Sequence, residues 1–281
     1  MNNYTLEDLS KYITEDLLNE LRNVGDKEEG RFTDEDRFTD SVELLLSLNI
    51  DIAVHTLIFV LYHEDERIRL GAVLQLGLVV DEIKNPILAF ATFYKLAQVA
   101  STDPNTLIRR YAMWLLGIFC NQFLFRFFVS GSFDNDEEIR ATSVIVMGRI
   151  SRTTFSDHIV SMLGDESSLV RSSAISALQM LPNKDSSHSV VALLKDDDVL
   201  VRSRAAEALA TFKNKDVVGF LAEALKDTDR NVRQRVVRAL GSIGGEQVVA
   251  PLKLALNDSS TLVQEVASVE LKKVLENITE I

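Results

Sequence analysis

Two stretches of this chain repeat one residue pattern 31 positions apart, and this periodicity limits the possible folds more than any other feature. The sequence DDDVLVRSRAAEAL occupies residues 196–209, and DTDRNVRQRVVRAL occupies residues 227–240. Each contains aspartate, then an apolar residue followed by arginine, and each ends in Ala-Leu. A fixed period of about 20 to 50 residues is typical of a protein that stacks one small structural unit many times.

The apolar residue that precedes the arginine, which we call the anchor, sets the register of the array. Five steps of 31 residues connect six copies: Ile108-Arg109, Ile139-Arg140, Val170-Arg171, Val201-Arg202, Val232-Arg233 and Val263-Gln264. Ile68-Arg69 lies 40 residues before the first of these, which predicts an insertion of about nine residues within 78–105. Phe38-Thr39 resembles a degraded first copy, so the register predicts eight units.

The residues after each anchor predict an amphipathic helix. The fourth residue is small in most copies and the eighth is leucine or methionine, as in Ala205 and Leu209 after Val201. Spacings of four and eight place these side chains on one helical stripe. We call this the inner helix of each unit, and the helix-periodic segment before it, such as 217–227, the outer helix. One hairpin cannot bury both of its faces, so we predict an all-α superhelix, a solenoid of about eight stacked hairpins.

The pattern of aspartate, five residues, arginine and then Ala and Leu resembles HEAT repeats. The short 31-residue period is similar to the subclass found in phycobilisome lyases. This resemblance covers residues 34–281 and implies an α-solenoid, but it implies no single function because the subclass serves many roles. Residues 1–33 are then expected to form an acidic N-terminal helical cap with the apolar stripe Leu6, Leu9, Ile13, Leu17 and Leu21.

Charge and composition restrict the partner and the compartment. The net charge is −12, and residues 1–40 hold twelve acids against five bases. Nucleic-acid binders need a basic face, so this balance favours a protein partner, and a basic one is the easiest to attract. The single cysteine, a start without an export signal and the polar residues within the apolar windows 42–62 and 112–131 predict a cytoplasmic protein with no membrane partner.

Aspartate stands six residues before most of the arginines, and the ends of the array indicate how the two types pair. Pairing within a unit would leave Arg69 facing His63 and Asp258 facing Gln264. Pairing each arginine with the aspartate of the next unit leaves none unmatched, and it predicts the ladder Arg69-Asp103, Arg109-Asp134, Arg140-Asp165, Arg171-Asp196, Arg202-Asp227 and Arg233-Asp258. Each aspartate should also accept hydrogen bonds from amides at the start of its inner helix. The alternative is a capping aspartate beside a solvated arginine.

The sequence offers little from which a catalytic or metal site could be built. The related deoxyhypusine hydroxylases hold two irons with several His-Glu pairs, and here His63-Glu64 alone matches. Cys120 has no histidine near it in sequence, and no glycine-rich phosphate loop occurs. These observations favour a non-catalytic protein without a cofactor or metal.

One row of the inner helices is the predicted protein-binding surface. The sixth residue after the anchor lies opposite the packing stripe, and in stacked hairpins this row lines the concave surface. Together with the second residue after the anchor in two units, it comprises Leu70, Leu74, Arg110, Trp114, Ile145, Glu207 and Arg238. The first half is apolar and contains the only tryptophan, which is typical of a protein contact. The alternative is that the N-terminal helix or the insertion covers the row.

Residues 118–133 carry six of the fourteen phenylalanines. They predict either core packing against the inserted segment or a convex patch through which a second copy could bind.

The preferred function is a protein-protein interaction scaffold or adaptor that holds its partner on a concave face centred on Trp114. The resemblance to the lyase subclass implies an alternative, a chaperone-like bilin lyase subunit that presents an open-chain tetrapyrrole to a phycobiliprotein. For that alternative, the residues to test are Trp114, Arg110 and Arg149.

Overall fold

The computed structural model describes residues 6–26, 39–119, 124–150, 155–181 and 187–279, and within these ranges the chain forms helices and no β-strand. The chain divides into two compact units, Met1–Ile139 and Arg140–Ile281. We treat them separately as the first and the second unit.

The helices of the first unit are α1 Leu6–Ser10, α2 Glu15–Asp26, α3 Asp40–Leu48, α4 Ile50–Val60, α5 Glu66–Val79, α6 Pro86–Thr102, α7 Thr106–Phe119 and α8 Phe125–Gly131. Helix α9, Glu137–Arg149, contains the boundary. The helices of the second unit are α10 Ser156–Ser161, α11 Ser168–Met180, α12 Ser187–Val191, α13 Val199–Phe212, α14 Val218–Ala224, α15 Arg230–Ile243, α16 Val249–Ala255 and α17 Thr261–Thr279. Short 3-10 turns occupy Val80–Glu82, Met162–Gly164, Ala192–Lys195, Lys215–Val217 and Glu246–Val248.

Stacked hairpins build the second unit. Each outer helix packs on the inner helix that follows it, as α14 does on α15 and α16 on α17. The inner helices α11, α13, α15 and α17 pack in succession. The anchors Val201 and Val232 are fully buried between them, as are Ala205 and Leu209. The all-α repeat architecture predicted from the period is therefore confirmed.

Small residues set the distance between neighbouring inner helices. A side-chain carbon added at Gly148 would lie 2.6 Å from Cα of Ala177, closer than two carbons can approach. The equivalent atom at Gly77 would lie 2.6 Å from a methyl group of Leu115. These two glycines therefore permit close packing between consecutive inner helices.

Extra residues lengthen one outer helix in the first unit. Helix α6 has 17 residues, whereas α14 and α16 have 7 each. It follows the 3-10 turn Val80–Glu82, so the inserted residues predicted within 78–105 extend the hairpin and do not form a separate subdomain.

The N-terminal region differs from the predicted register. The expected acidic helix is divided into α1 and α2, and α2 packs along α5 with Leu17 and Leu21 fully buried. The register had predicted α3 as the inner helix before α5, but α2 is the principal neighbour of α5. Thr39 instead caps α3, where its hydroxyl accepts from the amide of Val42 at 3.4 Å, and Phe38 lies outside the described residues.

Helices α2 and α5 run antiparallel and touch through their backbones. Gly71 of α5 faces the carbonyl of Leu21, and Gly25 of α2 faces the carbonyl of Arg67. Any side chain at either glycine would collide with the opposite backbone, so these two glycines permit the close approach of α2 and α5. In the part of the chain described, every helix is too short or too polar to span a bilayer.

Candidate functional site

Each ladder arginine forms two hydrogen bonds with the aspartate of the following 31-residue repeat. Its Nε donates to Oδ2 at 2.8 Å in Arg69-Asp103, 3.0 Å in Arg109-Asp134, 2.9 Å in Arg140-Asp165, and 2.7 Å in Arg171-Asp196, Arg202-Asp227 and Arg233-Asp258. Nη2 donates to the other oxygen of the same carboxylate. The structure thus brings together all six pairs proposed from the ends of the array.

Ladder arginines also bond to the loop of their own repeat, as Arg69, Arg109, Arg171, Arg202 and Arg233 show. Nη1 of Arg202, for example, donates to the carbonyls of Asp196 at 2.8 Å and Asp197 at 3.1 Å. One guanidinium therefore connects two successive loops, which satisfies both a charge and two loop carbonyls.

The ladder aspartates reach the inner helices through an intermediate residue. Asp227 accepts from the amide of Asp229 at 2.8 Å, and Asp229 caps α15 by accepting from the amides of Asn231 and Val232. At Asn105, Asp136, Asp198 and Asp229, the expected bond to the first helical amides is thus made by the residue two positions after the ladder aspartate. This arrangement fixes the loop before the helix begins.

Burial and hydrogen bonding act in opposite directions on the ladder carboxylates. The side chains of Arg202 and Asp227 are 13% and 7% exposed. Burial on its own would raise the pKa of Asp227, but the hydrogen bonds from Arg202 and from the amide of Asp229 hold that pKa below its ordinary value. The bond to Asp227 raises the pKa of Arg202. Both groups therefore stay charged at neutral pH.

Arg110, a proposed binding residue, forms a second ion pair beside the ladder. Its Nε donates to Oδ1 of Asp136 at 2.8 Å, and its Nη1 lies 3.0 Å from Glu138. Asp136 also accepts from the amides of Glu138 and Ile139. The guanidinium of Arg110 is therefore already engaged at the start of α9.

The proposed binding row is only partly exposed. Leu70 and Leu74 are 2% and 9% exposed, so their assignment to an open surface is wrong. Helix α5 packs against both α2 and α7, which enclose it. For this helix the alternative of an internal cover is the correct one, and the cover is α2.

The rest of the row is accessible in each unit taken separately. Trp114 is 46% exposed, Ile145 is half-buried, and Glu207 and Arg238 are exposed. The row positions of α13 and α15 in the second unit are therefore open to solvent.

Four positions on each inner helix share the direction of this row, and we call them the inner-face stripe. They are the residue before the anchor and the third, sixth and tenth residues after it, which fall within an arc of about 60° on a helix of 3.6 residues per turn. In α13 and α15 all eight are exposed: Leu200, Arg204, Glu207, Thr211, Asn231, Arg235, Arg238 and Ser242. Of these four positions, only the sixth belongs to the row predicted from the sequence, although the same periodicity identifies the other three.

The stripe of α7 is apolar. Leu107 and Tyr111 are half-buried, whereas Trp114 and Ile118, one turn apart, are each 46% exposed. Trp114 and Ile118 thus form an exposed apolar pair on the inner face of α7.

The phenylalanine-rich segment divides between core and surface. Phe128 is fully buried, and Phe127 packs edge-on against Tyr94 of α6 at a centroid distance of 5.6 Å. Phe125 and Phe133 are exposed. Part of the segment thus packs against the lengthened outer helix, as one alternative predicted, while residues 120–123, including Cys120, lie outside the described ranges.

The one His-Glu match takes part in a turn. Nδ1 of His63 accepts from the amide of Asp65 at 3.0 Å. Across the described residues, no three His, Cys, Asp or Glu side chains are grouped as a metal ion would require.

Comparison with known proteins gives a family and several similar folds. A sequence profile described as HEAT repeats matches residues 94–179, 125–199 and 187–272, which together exceed half of the chain. Comparison with curated protein sequences gave no match.

Three solved structures illustrate the similar folds. The CpcE–CpcF complex of phycocyanin lyase from Nostoc sp. PCC7120 has a TM-score of 0.48 at 18% identity, covering 90% of this chain and 93% of that chain. Human deoxyhypusine hydroxylase, in complex with glycerol, has a TM-score of 0.41 at 18% identity, covering 92% and 97%. An engineered protein has a TM-score of 0.48 at 16% identity, covering 98% and 89%.

Proposed function

The chain belongs to the HEAT-repeat family, and from this premise we propose that it is a non-catalytic scaffold that binds another protein through the inner face of its inner helices. HEAT-repeat proteins generally use their extended helical surfaces in this way.

The observation that carries the proposal is the exposed pair Trp114 and Ile118 on α7. A tryptophan side chain buries a large area on contact and is among the residues most enriched at the energetic centre of protein interfaces. Because the two side chains are four residues apart, one partner segment can cover both.

The charge of the first unit suggests what that partner segment carries. Met1–Ile139 contains 24 acidic and 12 basic residues, which accounts for the whole net charge of −12. A basic segment would be attracted to α7 by this field, so we propose a basic partner for the first unit.

The only tryptophan provides a direct test. The native chain, Trp114→Ala and Phe220→Ala are compared in pull-downs, since Phe220 is 49% exposed on an outer helix and serves as the matched control. We expect capture to fall at least about tenfold in Trp114→Ala alone, and the native tryptophan emission to shift to the blue with purified partner. Equal recovery by all three proteins would overturn the proposal.

A pigment readout tests the tetrapyrrole alternative in parallel. Native protein co-expressed with a bilin pathway should show no visible absorbance after purification. Retained absorbance, together with quenched Trp114 emission, would replace the scaffold proposal with the lyase alternative.

A further inference from the structure

The inner-face stripes of α13 and α15 carry more positive charge than the fold requires. They contain the arginines Arg204, Arg235 and Arg238 and a single acid, Glu207. The ladder arginines of the same helices, Arg202 and Arg233, bind carboxylates on another side. The stripe arginines therefore lie apart from the ladder that joins successive repeats.

Contacts within the stripe leave basic groups in excess. Nη1 of Arg235 lies 3.2 Å from Oε1 of Glu207, and the two side chains are 46% and 53% exposed. Nη1 of Arg204 donates to the hydroxyl of Ser176 at 2.9 Å, which leaves its charge uncompensated. Among the described residues, none forms an ion pair or hydrogen bond with Arg238. The two stripes thus carry three guanidinium groups and one carboxylate, which pairs with Arg235 alone.

The excess is local, because the second unit as a whole is neutral. Arg140–Ile281 contains 18 acidic and 18 basic residues. The stripes of α11, α13, α15 and α17 together hold four bases and one acid. The fourth base, Lys273, is paired with Glu270 at 3.0 Å, so the excess comes from the three arginines. Charges beyond about 8 Å are screened at physiological salt, so the stripe charge dominates at contact distance.

Exposed apolar side chains lie in the same stripes. Leu200 is 74% exposed on α13, and on α17 Leu262 and Val269 are 40% and 52% exposed. A nucleic-acid site would be expected to offer a longer basic surface with fewer aliphatic groups. Arginine beside leucine instead suits a peptide that carries both carboxylates and apolar side chains.

The first unit shows how such a segment can lie on an inner helix. Helix α2, which begins with Glu15 and Asp16 and buries Leu17 and Leu21, packs on the side of α5 formed by Arg67 and Gly71. These two residues are stripe positions, and Gly71 corresponds in the register to Arg204 and Arg235. An acidic, leucine-containing segment therefore already covers a stripe within this chain.

We infer that the inner face of the second unit binds an acidic segment of a partner protein, whose carboxylates pair with Arg204, Arg235 and Arg238. The inference deepens the proposed function and rests on it, because it names the chemistry of a partner segment. It assigns to the second unit a ligand opposite in charge to the one proposed for the first.

Fluorescence anisotropy on the full chain tests this inference. Four inner helices about 9 Å apart span roughly 30 Å, which an extended peptide of about ten residues covers. The probes are a fluorescein-labelled peptide of this length made of alternating Glu and Leu, its Gln-for-Glu counterpart, and a labelled single-stranded oligonucleotide of similar length. The proteins are the native chain, Arg204→Gln/Arg238→Gln, and the control Arg230→Gln, an exposed arginine of α15 outside the stripe.

We expect the glutamate peptide to bind better than the other two probes, and to weaken as NaCl is raised. The double variant should bind it about tenfold more weakly, and Arg230→Gln should bind it like the native chain. Equal losses in both variants, or tighter binding of the oligonucleotide, would overturn the inference. Self-association in sedimentation that the double variant abolishes would also overturn it, since the acidic occupant would then be a second copy of the chain.

The two proposals can fail separately. If the glutamate peptide does not bind while Trp114→Ala still loses its partner, this inference alone is wrong. If the peptide binds and Trp114→Ala retains every partner, the proposal for α7 is wrong.

Discussion

The same stripe of the inner helix is covered on α5 of the first unit and open on α13 and α15 of the second. In the first unit Gly71 of α5 lies against the backbone of Leu21 in α2. In the second unit the corresponding residues, Arg204 and Arg235, are exposed. The 31-residue framework buries the anchors in both units, whereas the residue at this stripe position changes from glycine to arginine. A glycine at this position lets the backbone of a second helix come into contact with α5. An arginine there keeps a second segment farther from the helix, because its side chain lies between them.

The units also differ in charge, with −12 on the first and zero on the second. This separation means that one net charge does not describe the whole protein's binding preference. On the inner faces, the stripe of α7 is apolar, whereas the stripes of α13 and α15 carry three arginines and one glutamate.

The largest effect should come from removing a leucine of the cover. Leu21→Ala takes a fully buried side chain from between α2 and α5 and should lower the free energy of unfolding by about 2–5 kcal/mol. Leu200 lies in the open stripe of α13, and its side chain is 74% exposed. Leu200→Ala should therefore change the free energy of unfolding by less than about 0.5 kcal/mol. Urea denaturation of both variants provides the measurement, and similar losses would remove the distinction between covered and open stripes.

The next largest effect is a difference in coupling energy between two ion pairs, one in the ladder and one in the open stripe. A double-mutant cycle on Arg202 and Asp227 should give a coupling energy of about 1.5–3 kcal/mol, because both side chains are largely buried and joined by two bonds. The same cycle on the exposed pair Arg235 and Glu207 should give no more than about 1 kcal/mol. Equal couplings would show that the ladder acts as a set of ordinary surface pairs.

The smallest effect is a pH dependence of the ladder. The folded pKa of Asp227 is lowered, so its contribution to stability is complete above the unfolded value of about 3.9 and is lost as pH falls through the folded pKa. The stability difference between the native chain and Asp227→Asn should therefore be constant from about pH 7 to pH 5 and shrink below about pH 4. Urea midpoints of both proteins across this range measure it, and a difference that grows at low pH would contradict the assigned direction.

The repeat architecture could be predicted because its signals recur in register. The anchors, the small residues and the arginines follow one period, and the unmatched His63 and Gln264 at the ends point to pairing between units. The cover could not be predicted in this way. The contact between Leu21 and Gly71 joins backbones outside the period, and an apolar stripe on a helix indicates that it packs without indicating where.

The forward direction of the ladder has a consequence for how the chain is made. Each arginine from Arg109 to Arg233 receives its carboxylate from a residue 25 positions later in the sequence. During synthesis, a newly emerged loop therefore completes the hydrogen bonding of the hairpin made just before it. Assembly can then follow the order of translation, with only a short stretch of chain waiting for its partner at any moment.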